Sequence, residues 1–356
     1  MPVPSGHAKA RRGLLILHPG ALGDVVATFP ALLELRRRFR PLALLCQGHI
    51  AALASRLGVI DAPLDLESSV FGALFGAPAD PRLAGLLGSY RRVLVFSTRP
   101  RLADDLRRCL PDAALHPVTA RPPLDRKTHV LRHLHDQLVA CDLLAPADRP
   151  APAAEPFGHA NRKPSPPGGP ILLHPGAGSP RKRWPLASFL TVAAGLEARG
   201  LQPAFLLGPA ERDLAAGLQV PPKRPLHQVA DLRRLQRLLA ASGGLIGNDS
   251  GISHLSAFLG LPTVAVFGPS DARRWAPSGP VAAILQPGLD CRGCFEITPE
   301  NCTDPACLNG TRPAAVLKAF LTLYHRGFGK KSGDDEDLAP PQGSSGQRFQ
   351  EGFAAE

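Results

Sequence analysis

Aromatic residues are scarce in this chain of 356 residues: they make up 5% of it, with two tryptophans and two tyrosines. Proteins that bind single-stranded nucleic acid stack the bases on exposed aromatic rings. This composition therefore argues against a nucleic-acid partner. Hydrophobic residues still reach 44%, so the chain can form sizeable cores, built mainly from leucine, alanine and valine.

Long apolar segments are also missing. No stretch approaches the roughly 20 apolar residues that a membrane-spanning helix needs, and residues 1–12 lack the apolar core of a secretion signal. We therefore expect a cytoplasmic protein. Its seven cysteines are then expected to be reduced, because disulfides persist mainly in oxidising compartments.

Acidic residues are outnumbered by basic ones. The chain has 41 Lys and Arg against 30 Asp and Glu, which gives a formal net charge of +11. Such an excess favours anionic partners, such as phosphates or the anionic inner leaflet of a membrane. A genome rich in G and C, which favours arginine codons, would also explain much of this excess without a functional cause.

Short apolar segments alternate with segments of helical periodicity in both halves of the chain. This alternation predicts an α/β protein with open parallel sheets that carry helices on both faces. Buried strands are predicted at residues 14–17, 42–46, 93–96, 171–173, 204–207 and 263–267, and helices at residues 25–38, 50–57, 127–144, 186–199 and 232–241.

The tetrapeptide His-Pro-Gly-Ala occurs twice, at residues 18–21 and 174–177, each time directly after an apolar strand. The repeat indicates two halves of similar topology, and a segment rich in Pro, Ala and Gly separates them. We predict a flexible N-terminus at 1–12, a Rossmann-like domain at 13–150, a linker at 151–169, a second Rossmann-like domain at 170–328 and a disordered tail at 329–356.

A glycine-rich stretch, residues 243–255, predicts a buried strand, a tight turn and a helix. Asp249 or Ser250 can cap the helix, Gly251 allows a ligand to approach the backbone, and His254 lies one turn further on. Free N–H groups at a helix N-terminus bind anions, so one interpretation is a phosphate or diphosphate cradle. An ordinary strand–helix turn with a capping Asp gives the same pattern, and this stretch alone does not decide between the two.

Three segments together resemble glycosyltransferase family 9, the ADP-heptose:lipopolysaccharide heptosyltransferases. The resemblance covers about residues 14–324 and implies the GT-B fold, in which two doubly wound Rossmann-like domains face each other across a cleft. The segments are LGDVVATFPAL at residues 22–32, HPGAGSPRKRWP at residues 174–185 and GNDSGISHLSAFLGLPTVAVFGPSD at residues 247–271.

The resemblance implies two catalytic residues. Asp24 matches the proposed general base of the family, which takes the proton of the incoming hydroxyl, although a plain helix cap is an alternative role. Lys182 matches a residue that offsets the charge of the leaving diphosphate, and Arg181 and Arg183 compete for this role. The family transfers sugar with inversion, without a covalent sugar–enzyme intermediate and without a required metal or other cofactor.

The resemblance also implies the residues that bind the nucleotide sugar. Glu211 matches a carboxylate that would hydrogen-bond the ribose hydroxyls, with a surface helix cap as its alternative role. Asp249 matches an acidic residue that the family uses around the sugar. The full predicted set is Ser179, Lys182, Glu211, Asp249, Ser250, Gly251 and His254.

The resemblance to the family does not explain two features of the sequence. In the family, Lys or another residue is more usual at the position of His18, so other residues would contact the acidic sugars or phosphates of the sugar acceptor. Candidates for that contact, or for contact with the anionic inner leaflet, are Arg36, Arg37, Arg38, Arg99 and Arg101, and a solvated basic face explains each of them equally well. Four nearby cysteines are candidates for a zinc or iron–sulfur site, but their spacing is irregular for the best-known zinc modules, and a cluster without metal is the preferred interpretation. They are Cys291, Cys294, Cys302 and Cys307.

The resemblance implies transfer of L-glycero-D-manno-heptose from ADP-heptose to Kdo or heptose in the inner core of lipopolysaccharide. The enzyme would then be cytoplasmic and peripheral at the inner membrane, with a lipid-linked acidic saccharide as acceptor. A family 9 enzyme with another nucleotide sugar or acceptor is one alternative, and a non-catalytic nucleotide-sugar-binding protein is another. A dinucleotide-binding oxidoreductase is disfavoured, because no G-x-G-x-x-G follows the first strand.

Overall fold

The computed structural model describes residues 13–75, 81–97, 100–148, 169–218, 224–288, 294–297, 302, 305–328 and 350–351. The chain divides into two compact units, Met1–Ala151 and Pro152–Glu356. The predicted flexible N-terminus, nearly all of the predicted linker and most of the predicted tail lie outside the described residues, so the finer domain boundaries stay a prediction.

The first unit contains a five-stranded parallel sheet with helices between the strands. Its strands are β1 (Leu14–Leu17), β2 (Leu42–Cys46), β3 (Ala62–Asp65), β4 (Arg92–Phe96) and β5 (Ala114–Val118). Its helices are α1 (Leu22–Arg38), α2 (Gly48–Arg56), α3 (Pro81–Leu87), α4 (Pro100–Cys109) and α5 (Val130–Ala140). The strand order β3-β2-β1-β4-β5 is that of a doubly wound sheet.

The central strand of this sheet is fully buried. All four residues of β1 have no exposed surface, as expected for a parallel strand covered by helices on both faces. Leu17 aligns with Leu45 of β2 and with Val95 of β4. The carboxyl ends of these three strands therefore meet at one edge, and His18 is the first residue beyond β1.

Helix α1 begins at Leu22, three residues before the predicted start at residue 25. Asp24 therefore lies in the first turn of the helix and not in the preceding loop, where the apolar pattern alone would place it. Its carboxylate accepts a hydrogen bond from the main-chain N–H of Ala21, the N-cap residue, and the first turn is a favourable position for an acidic residue. The last turn carries three arginines, which also suit the helix dipole.

The second unit contains a seven-stranded sheet in the order β12-β11-β10-β9-β6-β7-β8. These strands are β6 (Ile171–His174), β7 (Pro203–Leu207), β8 (Leu226–Gln228), β9 (Gly244–Asn248), β10 (Thr263–Val266), β11 (Ala282–Leu285) and β12 (Gln350–Glu351). The helices are α6 (Leu186–Glu197), α7 (Leu232–Ala241), α8 (Gly251–Phe258), α9 (Ala272–Trp275), α10 (Cys294–Ile297), α11 (Ala306–Asn309) and α12 (Pro313–Phe328).

Six of the seven strands run parallel, and β12 is antiparallel to β11. The two residues of β12 belong to the segment expected to be a disordered tail without a packed role, and here the structure differs from that expectation. Without β12, strand β11 would be an edge strand with unpaired N–H and C=O groups, and pairing with β12 satisfies part of them. The rest of that tail lies outside the described residues.

Helix α12 packs against α6 and against strands β9, β10 and β11. Its Phe320 joins Trp184, Phe189 and Phe205 in the largest apolar core of this unit. Within the described part of the chain, none of the helices combines the length and apolarity required to span a bilayer. The predicted class, two doubly wound α/β domains, is confirmed.

Candidate functional site

Four loops of the second unit leave the sheet at the same edge. The register pairs Asn248 at the end of β9 with Val266 of β10, and His174 at the end of β6 with Gly247. The loops after β6, β7, β9 and β10 therefore start side by side. In open parallel sheets ligands bind beyond the carboxyl ends of the strands. The predicted donor-binding residues all lie on the first three of these loops or in the first turn of the helix α8 that follows the third.

Lys182 and Asp249 form an ion pair at this edge. The Lys182 Nζ lies 2.7 Å from the Asp249 Oδ2, and the two side chains are 19% and 7% exposed. The same ammonium lies 4.2 Å from the centroid of the Phe295 ring on α10, a distance at which a cation is attracted to an aromatic face. The ammonium group is thus held between a carboxylate and an aromatic ring.

Ser250 caps α8 and organises the turn that precedes it. Its Oγ accepts a hydrogen bond from the main-chain N–H of Ser253 at 3.3 Å, and the Ser253 hydroxyl donates to the carbonyl of Asn248 at 2.7 Å. Gly251 is the first residue of α8, and the largely buried His254 follows one turn later. The predicted strand, turn and capped helix are confirmed, and Ser250 is the cap while Asp249 pairs with Lys182.

Ser179 caps the short 3₁₀ turn that carries the lysine. This turn is Pro180–Lys182, and the Ser179 Oγ accepts a hydrogen bond from the N–H of Arg181 at 3.3 Å. Arg181 points to α10, with its Nη2 3.7 Å from the Cys294 Sγ. Among the three consecutive cations, Lys182 is therefore the one held by the carboxylate that follows β9.

The third cation, Arg183, is engaged with the loop after β7. Its Nη1 lies 2.6 Å from the Asp213 Oδ2, and its Nη2 donates to the carbonyl of Ala210 at 3.0 Å. These contacts fix that loop next to the Lys182 turn. Arg183 thus has a structural explanation that does not require contact with a ligand.

Glu211 is buried, with 6% of its surface exposed. Its Oε2 accepts a hydrogen bond from the N–H of Gly208 at 2.7 Å, so the alternative role as a cap is correct, but the cap is not on the surface. A Cβ atom on Gly176 would lie 2.5 Å from the Glu211 carboxyl carbon. The glycine of the second His-Pro-Gly-Ala therefore leaves the space that this carboxylate occupies.

His174, in the same tetrapeptide, is buried, and its Nδ1 lies 2.9 Å from the carbonyl oxygen of Leu206. Burial lowers the pKa of His174, while the hydrogen bond to Leu206 and the charge of Glu211 oppose that shift. The imidazole is therefore neutral at physiological pH.

Two residues that the sequence did not single out hold the site together. Asn248 is fully buried, and its Oδ1 accepts a hydrogen bond from the main-chain N–H of Trp184 at 3.0 Å. Its Nδ2 donates to the carbonyls of Pro175 at 2.9 Å and Gly176 at 3.1 Å. It thereby ties both ends of the Lys182 loop to β9. A polar amide as the last residue of an otherwise apolar strand is a signal for this role, whereas nothing in the sequence indicates Phe295.

In the first unit, Asp24 accepts a hydrogen bond from the main-chain N–H of Ala21 at 3.3 Å. This contact is the one expected of a residue that caps a helix, because the side chain satisfies an N–H that has no partner within the helix. Asp24 lies just beyond the carboxyl end of β1, at the edge of the sheet where ligands bind in such folds. A role as base remains a prediction.

The arginines proposed to meet an acidic acceptor have acidic partners within the protein. Arg36 pairs with Asp61, Arg37 with Glu34 and Arg38 with Asp148. These three are therefore weaker candidates for acceptor contact than their clustering suggested. Arg99 and the side chain of Arg101 lie outside the described residues.

The cysteine cluster is described only in part, because Cys291 lies outside the described residues. Cys294 belongs to α10, Cys302 is exposed, and Cys307 lies on α11. Among the residues that the structure describes, no group of three or more His, Cys, Asp or Glu side chains is arranged to hold a metal ion. A metal at this cluster therefore has no support from the described residues.

Two doubly wound α/β domains in one chain, with the predicted site residues at the carboxyl edge of the second sheet, are the arrangement of the GT-B glycosyltransferases. The model of glycosyltransferase family 9 (heptosyltransferase) matches residues 122–302, about half of the chain. The chain belongs to this family, and the recognition made from its three motifs is confirmed.

Curated relatives agree with this assignment. Lipopolysaccharide heptosyltransferase 1 of Pseudomonas aeruginosa is 31% identical over 181 residues, which cover 44% of this chain and 49% of that protein. Lipopolysaccharide heptosyltransferase 3 of Escherichia coli is 31% identical over 113 residues, covering 30% of this chain and 33% of that protein. The similar segments thus span about half or less of the length of these relatives.

A solved structure extends the likeness to nearly the whole chain. The Escherichia coli heptosyltransferase WaaC with ADP has a TM-score of 0.62 and 17% sequence identity, and the alignment covers 88% of this chain and 99% of that one. At this identity the match shows a shared fold, and it confirms the GT-B architecture.

Proposed function

We propose that the chain is an inverting glycosyltransferase that moves L-glycero-D-manno-heptose from ADP-heptose to Kdo or heptose in the inner core of lipopolysaccharide. The observation that carries the proposal is the Lys182–Asp249 pair beside the capped start of α8. Membership of family 9, two relatives named as lipopolysaccharide heptosyltransferases and a similar fold solved with ADP support this donor and acceptor.

The diphosphate of the donor binds at the N-terminus of α8. Here the free N–H groups of the first turn, beginning at Gly251, and the positive end of the helix dipole attract an anion. The diphosphate competes with Asp249 for the Lys182 ammonium, which then offsets the charge of the leaving group. Ser179 and His254 complete the site from the two neighbouring segments.

Two carboxylates recognise the rest of the donor. Once Lys182 turns to the diphosphate, Asp249 becomes an acceptor for hydroxyls of the sugar. Glu211 accepts hydrogen bonds from the ribose hydroxyls, in the manner of the acidic residue that binds ribose in dinucleotide-binding folds. The contact of Glu211 with the Gly208 N–H holds its carboxylate in place before the donor arrives.

Asp24 is the general base. It removes the proton of the acceptor hydroxyl, and the hydroxyl oxygen forms a bond to the anomeric carbon. The bond from that carbon to the phosphate oxygen breaks at the same time, and ADP leaves with the electron pair. One displacement inverts the configuration, and no cofactor is required because Lys182 and the helix dipole supply the positive charge.

The net charge of +11 suits an acceptor that carries Kdo carboxylates and lipid A phosphates in the anionic inner leaflet. We place the protein in the cytoplasm, peripheral at that membrane. Binding to vesicles with and without anionic lipid, at low and high salt, tests this placement. Equal binding to neutral and anionic vesicles would contradict it.

Donor and acceptor are tested together with purified protein, ADP-heptose and Kdo-lipid A. We expect release of ADP and an acceptor heavier by one heptose, and we expect ADP to raise the thermal midpoint more than UDP, GDP or NADH. Transfer from another nucleotide sugar only would identify a different family 9 activity. Nucleotide binding without transfer to any acceptor would favour a non-catalytic binding protein.

The cysteine cluster needs a separate measurement. Zinc and iron are quantified in the wild-type protein and in Cys294→Ser. A stoichiometric metal that is lost in the variant would establish a metal site, and absence of both metals from the wild-type protein would remove the idea.

A further inference from the structure

His18 is a buried imidazole at the carboxyl end of β1, with 2% of its surface exposed. Its ring centroid lies 4.3 Å from that of Phe96, the last residue of β4. Its Nδ1 accepts a hydrogen bond from the main-chain N–H of Gly20 at 3.1 Å. Within the described part of the chain, its Nε2 is buried without a hydrogen-bond partner.

Gly20 separates this imidazole from the candidate base. A Cβ atom on Gly20 would lie 2.6 Å from the His18 Cε1 and 2.9 Å from the Asp24 Cβ. Both distances are too short for real side chains. Glycine is therefore required here by the close approach of His18 and Asp24 from the two sides.

We propose that His18 is a positioning residue for Asp24, and this inference rests on the proposed role of Asp24 as base. The imidazole fixes the Gly20 N–H and thereby the turn formed by residues 18–21. The next N–H along the chain, that of Ala21, donates to the Asp24 carboxylate at 3.3 Å. Two consecutive main-chain N–H groups thus connect His18 to the side-chain conformation of Asp24.

Packing alone does not explain a histidine at this position. A phenylalanine would fill the space against Phe96, and it would not bury a polar nitrogen without a partner, which costs free energy. Compared with phenylalanine, the imidazole adds a hydrogen-bond acceptor, Nδ1, for the Gly20 N–H. Burial lowers the pKa of His18 to about 4, so the ring is neutral and Nδ1 keeps its lone pair at neutral pH.

Two substitutions distinguish the role of His18 as a hydrogen-bond acceptor from its role in packing. His18→Phe keeps a ring but removes the acceptor, and we expect kcat to fall about tenfold while the donor KM changes little and the thermal midpoint stays equal or rises. In His18→Asn the side-chain oxygen takes over from Nδ1. We expect this variant to keep kcat within about threefold of wild type even though the smaller side chain lowers the midpoint.

A matched control comes from the same sheet. His116 on β5 also has a buried Nε2 without a partner among the described residues, and it is not part of the proposed machinery. His116→Phe should leave kcat unchanged. If His18→Phe does not fold, His18→Leu provides the same comparison without an acceptor.

The result that overturns the inference is a His18→Phe enzyme with wild-type kcat, or a His18→Asn enzyme as slow as His18→Phe. Combining His18→Phe with Asp24→Asn distinguishes failure of this inference from failure of the proposed function. We expect His18→Phe to cause no further loss in that background, because both changes act on the same step. Full activity of Asp24→Asn alone would instead remove the assignment of the base.

Discussion

Asn248 and Trp184 are joined by a buried hydrogen bond of 3.0 Å between the asparagine Oδ1 and the tryptophan main-chain N–H. The same asparagine donates to the carbonyls of Pro175 and Gly176 at the other end of the loop. One side chain therefore fixes both ends of the segment that carries Lys182. The position of the cation depends on an amide more than 60 residues away, from the strand that also leads to Asp249.

Replacing Asn248 should loosen the site. Asn248→Ala leaves a buried N–H and two buried carbonyls without their partner, so we expect the free energy of unfolding to fall by about 3 kcal/mol. Ser242→Ala is the control, because Ser242 is also fully buried but its hydroxyl makes one described hydrogen bond, to Leu239. Urea denaturation should show a clearly smaller loss for Ser242→Ala. Equal losses would mean that Asn248 has no special role.

Gly176 and Gly178 provide a matched pair within one loop. A Cβ at Gly176 would lie 2.7 Å from the Glu211 Oε1, whereas a Cβ at Gly178 would meet no heavy atom of the described chain within 4 Å. We expect Gly176→Ala to lower the free energy of unfolding by about 1–3 kcal/mol and to weaken ADP binding by displacing Glu211. Gly178→Ala should change stability by less than about 0.5 kcal/mol. Thermal unfolding and calorimetric titration with ADP measure both effects.

The Lys182 ammonium should contribute most of the charge that binds the diphosphate. We expect Lys182→Met to raise the Kd for ADP about tenfold to a hundredfold, which corresponds to the loss of one strong charge-assisted contact. The neighbouring cation is the control: Arg183 pairs with Asp213, so Arg183→Met should change the Kd by less than about threefold. If Lys182→Met binds ADP as tightly as the wild-type protein, Lys182 is not the phosphate ligand.

The buried histidines predict how stability depends on pH. Burial lowers the pKa of His18 from 6.5 to about 4, and it also lowers the pKa of His174. As the pH falls below about 6.5, these histidines become protonated in the unfolded chain but stay neutral in the folded protein. For His18, the stability that depends on this difference is fully present above pH 6.5, is lost as the pH falls toward 4, and changes little below that. For His174 the loss also begins below about pH 6.5.

For His18 this loss amounts to about 3 kcal/mol in total. Urea denaturation at a series of pH values between 7 and 4 measures it. We expect a shallower decline in His18→Phe than in the wild-type protein. Parallel curves for the two proteins would show that His18 already titrates normally in the folded state.

Local chemistry was enough to predict much of the fold. The limits of α7 follow from its apolar periodicity, and the turn from β9 into α8 follows from a glycine-rich sequence with Ser250 as cap, since capping involves neighbouring residues only. The start of α1 was misplaced by three residues because Leu22 and Gly23 carry no start signal of their own.

The partners within the site could not be predicted in the same way. Lys182 and Asp249 are 67 residues apart, and the contact between Arg181 and Cys294 spans 113 residues. Such pairs are fixed by the register of the parallel sheet, which decides which loops are neighbours. The motifs therefore supplied candidate residues such as Lys182 and Asp249, while the register of the sheet determined which of them touch.

The rate of ADP release from ADP-heptose with Kdo-lipid A, compared between the wild-type protein and Asp24→Asn, tests the central claim most directly. The asparagine can still accept the hydrogen bond from Ala21, so the fold should be retained, but it cannot take a proton. We predict that kcat falls at least about a hundredfold while the Kd for ADP is unchanged. A variant that releases ADP as fast as the wild-type protein would contradict the account.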